Sequence, residues 1–280
     1  MATTISVVTP SYNQVKYVEQ TLRSVIGQRA DVHEYFVMDG GSTDGSVDVI
    51  RRYADRIDYW ISEKDRGQSD AIHKGFSRAT GDVLCWLNSD DLFLPGALRT
   101  VREAFDRHPE WDVVLGYHVN IDAEGRLTAV HRIPGQTLSW LKWGILHVAQ
   151  QACFFRRSLY ERVGGLDLSL HCVMDSELWI RFLAAGAKWG HVREHLAAYR
   201  LHEETKTAEW HKGKYASEDR KLDEKYPAFR LRGIKGWLGK SAYRATQVLS
   251  GRYPRARLET WRLRGKRLEE VYGDAGSEAA

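Results

Sequence analysis

The sequence predicts an α/β fold, a mostly parallel sheet flanked by helices, with a helical extension at its C-terminal end. Two features of the first hundred residues predict the sheet: short apolar runs alternate with stretches of helical periodicity, and each run ends in a polar or Gly-rich turn. A third feature predicts the extension. Residues 225–280 hold 13 Lys and Arg against 5 Asp and Glu, whereas residues 1–224 hold 28 against 32, so the net +4 conceals an acidic body and a basic tail.

Apolar runs at 5–9, 35–38, 59–62 and 83–87 read as strands, and the segments 15–26, 45–54 and 69–79 between them read as helices. After a helix at 95–107 the pattern becomes irregular. It holds a strand near 113–119, a hairpin around Asp122-Ala123-Glu124-Gly125 and a strand at 153–156, and then a helix near 176–185 that ends at Gly186. Beyond these, Trp237, Leu238, Ala242, Ala245 and Leu249 fall at helical spacing together with Ile234, and Leu258, Trp261, Leu268, Val271 and Tyr272 do so again. The expected division is a domain at 1–224, with halves 1–107 and 108–224, and a basic amphipathic helical extension at 225–280.

Composition narrows the class. With 280 residues, 43% hydrophobic and 28% charged, the chain is neither disordered nor membrane-spanning in character, and it contains no run of 18 apolar residues. Cys85, Cys153 and Cys172 are an odd number without a repeated spacing, which argues against a disulfide framework or a zinc clip. With no signal-peptide pattern at the N-terminus, the expected location is the cytoplasm. Nucleic acid is not an expected partner, because the body is acidic and no recognition module is apparent.

In a parallel sheet, ligands bind beyond the carboxyl ends of the strands. The four ends here read Pro10-Ser11-Tyr12-Asn13, Asp39-Gly40-Gly41-Ser42-Thr43-Asp44, Glu63-Lys64-Asp65-Arg66-Gly67 and Asn88-Ser89-Asp90-Asp91. Adjacent carboxylates after a buried strand repel one another and lose hydration. They suit a hard divalent cation bridging to a diphosphate, or else an ordinary turn and helix cap. Asp39 is either an acceptor for a base or ribose or part of a plain turn. The Gly-rich loop after it is neither a dinucleotide fingerprint nor a phosphate loop. Asp175 opens the late helix, as an N-cap or as a general base acting on a hydroxyl; Glu177 lies about 200° around the helix, so only one of the two faces a shared site. His202, after an apolar strand-like stretch, is a candidate third metal ligand or a structural residue.

In order along residues 4–205, Thr9-Pro10-Ser11-Tyr12-Asn13, the 39–46 loop, Gly67-Gln68-Ser69-Asp70-Ala71 with Gly75, Asn88–Asp91, Gly164-Gly165-Leu166-Asp167, Asp175–Leu178 and Arg200-Leu201-His202 resemble glycosyltransferase family 2. The resemblance implies a GT-A type, Rossmann-like fold and an inverting transferase using a UDP, GDP or dTDP sugar with Mn²⁺ or Mg²⁺. It implies Thr9, Tyr12 and Asp39 at the base, Asp90 at the ribose, Asp91 and His202 at the metal, and Asp175 as catalytic base. Pro10, Gly67, Asp70, Asn88 and Ser89 belong to the same matched donor-binding segments. Two departures stand out: the aspartate motif begins with Asn88, and the usual Ala-Arg-Asn reads Ala71-Ile72-His73. The implied acceptor is a saccharide or lipid-linked saccharide.

The extension admits two readings. Its basic and apolar mixture over 230–272 suits peripheral contact with an anionic membrane at the inner face of the cytoplasmic membrane, or packing on the catalytic domain or on a second subunit in a homo-oligomer. Rival functions are a sugar nucleotidyltransferase, which would carry a basic phosphate loop near the N-terminus and release pyrophosphate, and a non-catalytic subunit of a polysaccharide assembly complex, which would neither hydrolyse nor transfer a donor.

Overall fold

The computed structural model describes residues 2–203, 205, 213–229, 233–274 and 276; the side chains of Ile234 and Lys235, which belong to the tail pattern, lie outside the described set. Strands β1 (Ile5–Ser11), β2 (Glu34–Asp39), β3 (Tyr59–Ser62) and β4 (Val83–Trp86) stand where the apolar runs predict them. They pair in parallel in the order β3-β2-β1-β4, so their carboxyl ends share one edge. Between them run α1 (Val18–Ile26), α2 (Ser46–Arg52) and α3 (Gln68–Phe76). The first of these begins three residues later than expected because the preceding amides are engaged by a neighbouring loop. Gln14 N–H donates to Ser46 Oγ at 2.9 Å and Val15 N–H to Asp44 Oδ2 at 2.9 Å.

Strands β1, β2 and β4 are buried on both faces, as a helix-covered parallel sheet requires, whereas β3 at the sheet edge is half-buried. Val7 faces a layer containing Leu22, Ile50, Leu98 and Phe105, whereas its neighbour Val8 faces Ile72, Phe76, Leu178 and Trp179. Trp86 stacks on Trp179 with ring centroids 5.6 Å apart, which fastens the sheet to the late helix. Each such buried side chain contributes roughly 1.5–3 kcal/mol, so this layer holds the two halves together.

The second half extends the same sheet. Here β5 (Leu92–Phe93), α4 (Ala97–Arg107), β6 (Val113–Ile121), β7 (Leu127–His131), α5 (Leu138–Lys142), β8 (Cys153–Arg156), α6 (Arg157–Arg162), α7 (Met174–Ala184) and β9 (Trp189–Arg200) follow in order. The sheet continues β4-β8-β6-β9-β5, with β7 paired to β6 through the expected hairpin. Asp122 Oδ1 shapes that turn by accepting the amides of Glu124 at 3.1 Å and Arg126 at 2.7 Å.

Helix α8 (Gly213–Lys225) leads into α9 (Gly233–Leu249), α10 (Arg252–Leu263) and α11 (Leu268–Tyr272). The second expected tail helix is therefore broken, and the break has a cause. Gly265 N–H donates to Leu127 O, Leu127 N–H to Lys266 O and Leu268 N–H to Gly125 O, so the chain leaves the helix to pair with the β6–β7 hairpin. Leu263, Leu268, Val271 and Tyr272 then pack against Leu92, Ile121, Leu127 and Val130. This part of the extension is docked on the body.

Candidate active site

The site is built at the shared strand edge. Asn88 to Asp91 form the turn after β4, and Arg200 at the end of β9 clamps it from behind. The Arg200 amide donates to Asp91 Oδ1 at 2.9 Å, and its guanidinium donates to Asp90 O at 2.9 Å and Gln20 Oε1 at 2.6 Å while lying over the Tyr17 ring. Arg200 is almost wholly buried, so this is a scaffold and not a ligand-facing cation.

The clamp turns the two aspartates in opposite senses. Asp91 has no exposed surface, and its backbone carbonyl also accepts from Thr21 Oγ1 at 2.8 Å. Burial, reinforced by the charge of Asp90, pushes its carboxyl well above the ordinary carboxylate range. Asp90 keeps a partly exposed carboxylate, and His202 Nε2 lies 3.0 Å from its Oδ2. The imidazole packs against Tyr17 with ring centroids 4.7 Å apart. Asp91 is thus the buried member of the pair, held by the Arg200 amide, and Asp90 is the carboxylate that meets His202.

Asn88 explains its own departure from the aspartate motif. Its Oδ1 accepts from Gln68 Nε2 at 2.6 Å, and its Nδ2 donates to Gln150 Oε1 at 3.3 Å and Asp91 Oδ2 at 3.4 Å. A carboxylate could take the first bond but would repel the other two oxygens. Gln150 also donates to Trp86 O at 2.7 Å, so an amide network floors the crevice. Gln68 stands in the matched 67–71 segment without an assigned role, and nothing in the sequence singles out Gln150. Ser89, beside them, is buried.

Other expected residues separate into those that face the edge and those that support it. Tyr12, 61% exposed just past β1, is an available aromatic face. Thr9 is fully buried, with its hydroxyl 3.0 Å from that of Tyr35, a contact that ties β1 to β2. Pro10 is buried in the β1–β2 pairing opposite Met38. Asp39 already accepts four hydrogen bonds, from Gly41 N at 3.1 Å, Ser42 N at 2.9 Å, Ser42 Oγ at 2.5 Å and Ser62 Oγ at 2.7 Å. Three of those bonds fall on Oδ2 and one on Oδ1, so Asp39 organises the loop while Oδ1 keeps room for a further donor. Asp70 is likewise engaged, by Arg66 Nη2 at 2.7 Å and Lys74 Nζ at 3.5 Å, and the Arg66 hydrogen bond holds its carboxyl below the ordinary range. These ion pairs brace the start of α3.

The start of α7, which carries Asp175, is tied to the same edge through α3. Ser69 Oγ bonds Leu170 O and lies 2.7 Å from Met174 Sδ, stitching the start of α7 to the start of α3, one residue from the Gln68 that holds Asn88. Gly67, at φ 111°, sits against the ring of His171; an added Cβ would lie 2.8 Å from His171 Nδ1. Asp175 Oδ1 accepts the amide of the next residue, Ser176, at 2.6 Å; Asp175 lies inside α7, whose N-cap is Val173, so it is not the N-cap. Glu177 points the other way into a buried pocket, where Arg181 Nη2 at 2.7 Å, Lys225 Nζ at 2.9 Å and Tyr226 Oη at 2.6 Å hold it. Glu218 of α8, invisible to motif reading, accepts the amides of His171 at 3.0 Å, Cys172 at 2.7 Å and Val173 at 3.4 Å, and so fixes the approach to α7.

A parallel β3-β2-β1-β4 half-sheet with a turn of acids at its edge, extended by a mixed half that adds a second acid, defines this protein as a glycosyltransferase of the GT-A fold. An uncharacterized glycosyltransferase of Mycobacterium tuberculosis (strain ATCC 25618 / H37Rv) is 33% identical over 185 residues, 64% of this chain and 69% of that one. The chain belongs to glycosyl transferase family 2, whose sequence profile matches residues 6–164. Two solved structures share the fold. S. aureus TarS residues 1–349 in complex with UDP-GlcNAc aligns with a TM-score of 0.64 at 16% identity, covering 96% of this chain and 78% of that one. The mannosyltransferase PcManGT from Pyrobaculum calidifontis, in complex with GDP-Man and Mn²⁺, aligns with a TM-score of 0.58 at 19% identity, covering 93% and 79%.

Proposed function

We propose that this glycosyltransferase moves a sugar from a nucleoside-diphosphate donor to a hydroxyl of a saccharide or lipid-linked saccharide, inverting the anomeric carbon in a single displacement. The observation that supports the proposal is the chain of contacts from the turn that carries Asp90 and meets His202, through Asn88, Gln68 and Ser69, to Met174 at the start of α7, the residue before Asp175. Exposed Tyr12 offers a face on which a nucleobase can stack, and that geometry suits a UDP, GDP or dTDP donor.

The donor set of Asp90 and His202, one oxygen and one nitrogen, suits Mn²⁺ and is acceptable to Mg²⁺. Among the described residues no three His, Cys, Asp or Glu side chains converge to hold a cation, so two protein ligands would share it with phosphate oxygens, as is common for such ions. When bound, the cation offsets the negative charge that gathers on the departing nucleoside diphosphate. Asp90 and His202 orient that diphosphate, and Arg200 and the amide network keep their turn from shifting. Asp175 accepts the proton from the acceptor hydroxyl as its oxygen attacks the anomeric carbon and the bond to the diphosphate breaks.

The deciding experiment is a thermal-shift screen of UDP, GDP and dTDP sugars with and without Mn²⁺, followed by an assay of nucleoside-diphosphate release with the stabilising donor. Stabilisation by one donor class that deepens with Mn²⁺ is expected, since a ligand that binds only the folded state raises its stability. Release of pyrophosphate, or no binding by any donor, would overturn the proposal.

A further inference from the structure

The tail helices are amphipathic in an unusual sense: their inner faces are already used, and their outer faces are apolar. On α9 the inner side consists of buried Gly236, Gly239 and Tyr243. Tyr243 stacks on His147 with centroids 4.7 Å apart and meets Trp140 edge-on at 5.2 Å. Gly239 lies so close to the backbone at Trp143 that an added Cβ would stand 2.8 Å from its carbonyl oxygen. On α10, Thr260 Oγ1 accepts the Val130 amide at 2.9 Å, and Glu259 pairs with Arg132.

At about 100° per residue, Trp237, Leu238, Ala242, Ala245, Val248 and Leu249 fall within roughly 140° of arc on the side of α9 opposite those contacts. The same arithmetic sets Pro254, Leu258 and Trp261 opposite Glu259, Thr260 and Leu263 on α10. These outward side chains are bare: Leu249 is 86% exposed, Trp261 79% and Trp237 67%. Cations border them, with Lys240, Arg244, Arg255, Arg257 and Arg262 all exposed. Across residues 233–264 the single acid is Glu259, and Arg132 engages it at 2.8 Å, so no acid within that stretch is left to balance its cations.

We propose that the outer face of α9 and α10 lies on the surface of an anionic phospholipid bilayer, with the Trp and Leu side chains at the level of the headgroups and upper acyl chains and the Arg and Lys side chains among the phosphates. Charge complementarity selects this occupant. A bare apolar stripe alone would suit many partners, whereas one framed by unbalanced cations fits a surface that is both apolar and negative. Among the described residues no helix is long and apolar enough to cross a bilayer, so the contact is one of lying on the surface. The inference stands independently of the sugar-transfer reading, and its test needs no donor.

The test is flotation of the full chain with vesicles of phosphatidylcholine alone or mixed with phosphatidylglycerol. The chain should float with the mixed vesicles and leave them as salt is raised. Replacing Arg257 and Arg262 together (R257E with R262E) should weaken partition by at least tenfold, because each surface cation contributes about fivefold. Leu249→Ser with Trp261→Ser should abolish flotation while circular dichroism and the thermal midpoint stay unchanged, since both residues are exposed. Failure to float, equal flotation with neutral vesicles, or a solution dimer that Leu249→Ser with Trp261→Ser dissociates would each overturn the proposal; the last would make a second copy the occupant.

Discussion

The Asp90 carboxylate and the His202 imidazole meet at 3.0 Å although 112 residues separate them, and Arg200, two residues before His202, holds the turn that carries Asp90. If the pair holds the cation beside a donor diphosphate, His202→Ala removes one ligand and loosens the other. The Mn²⁺ needed for half-maximal donor binding should rise at least 10–100-fold, the range for lost groups that merely orient a metal site. Titration of Mn²⁺ into the enzyme with a nucleoside diphosphate measures it directly. Asp91→Asn, which keeps a hydrogen-bond acceptor for the Arg200 amide, should change that midpoint far less. Equal effects of the two variants would return Asp91 to the metal.

Asp175→Asn preserves the shape of the side chain and an oxygen to accept the Ser176 amide but can no longer take up a proton. With a carboxylate base worth roughly 10²–10⁴-fold, kcat should fall by about that factor, while the donor-induced rise in thermal midpoint remains. Undiminished turnover in the purified variant would remove Asp175 from the chemistry and turn attention to other groups near the start of α7.

The strand ends were legible because buried parallel strands are written as uninterrupted apolar runs, and the polar residues after each run stand out against them. The long strand β9 was not legible as such: Arg193 and Glu194 are exposed midway along it, where its register with β6 slips, and they interrupt the apolar run. Which of Asp90 and Asp91 is the buried one could not be read from neighbouring letters. Only the arrival of Arg200 from the far end of the chain decides which carboxylate is buried. Likewise, periodicity alone ran the second tail helix through Gly265, and its break depends on backbone pairing with Leu127 across the β6–β7 hairpin.

Glu218 acts at one remove from the chemistry. Its nearly buried carboxylate gathers the three amides that lead into α7, so Glu218→Ala strands buried donors at a cost on the order of 3 kcal/mol. Urea unfolding should show that loss, with Glu218→Gln milder because one acceptor oxygen survives. If the carboxylate also sets the placement of Asp175, kcat in Glu218→Ala should drop while KM for the donor stays near its original value. A loss of stability with unchanged kcat would limit Glu218 to a structural role.

A pH effect should come from a layer remote from the strand edge. His118 stacks on His131 with centroids 4.5 Å apart, and His195 lies near both, with Tyr272, Arg132 and Glu259 around it. Burial pushes His118 down to about 3 and His195 to about 4 from an ordinary value of 6.5, and lowers His131 as well. The Nδ1 atom of His118 and the Nε2 atoms of His131 and His195 have no hydrogen-bond partner to offset a charge. An unfolded chain therefore takes up these protons near pH 6.5, whereas the folded one refuses them until far lower pH. The stability that the neutral rings contribute is fully present above about pH 6.5 and drains away as the pH falls towards the folded values. Urea unfolding midpoints followed from about pH 7 to about pH 4.5 should decline steadily, and His118→Asn should flatten the slope by about 1.4 kcal/mol per pH unit, the weight of one proton. An unaltered slope in that variant would mean that His118 already carries its proton in the folded protein.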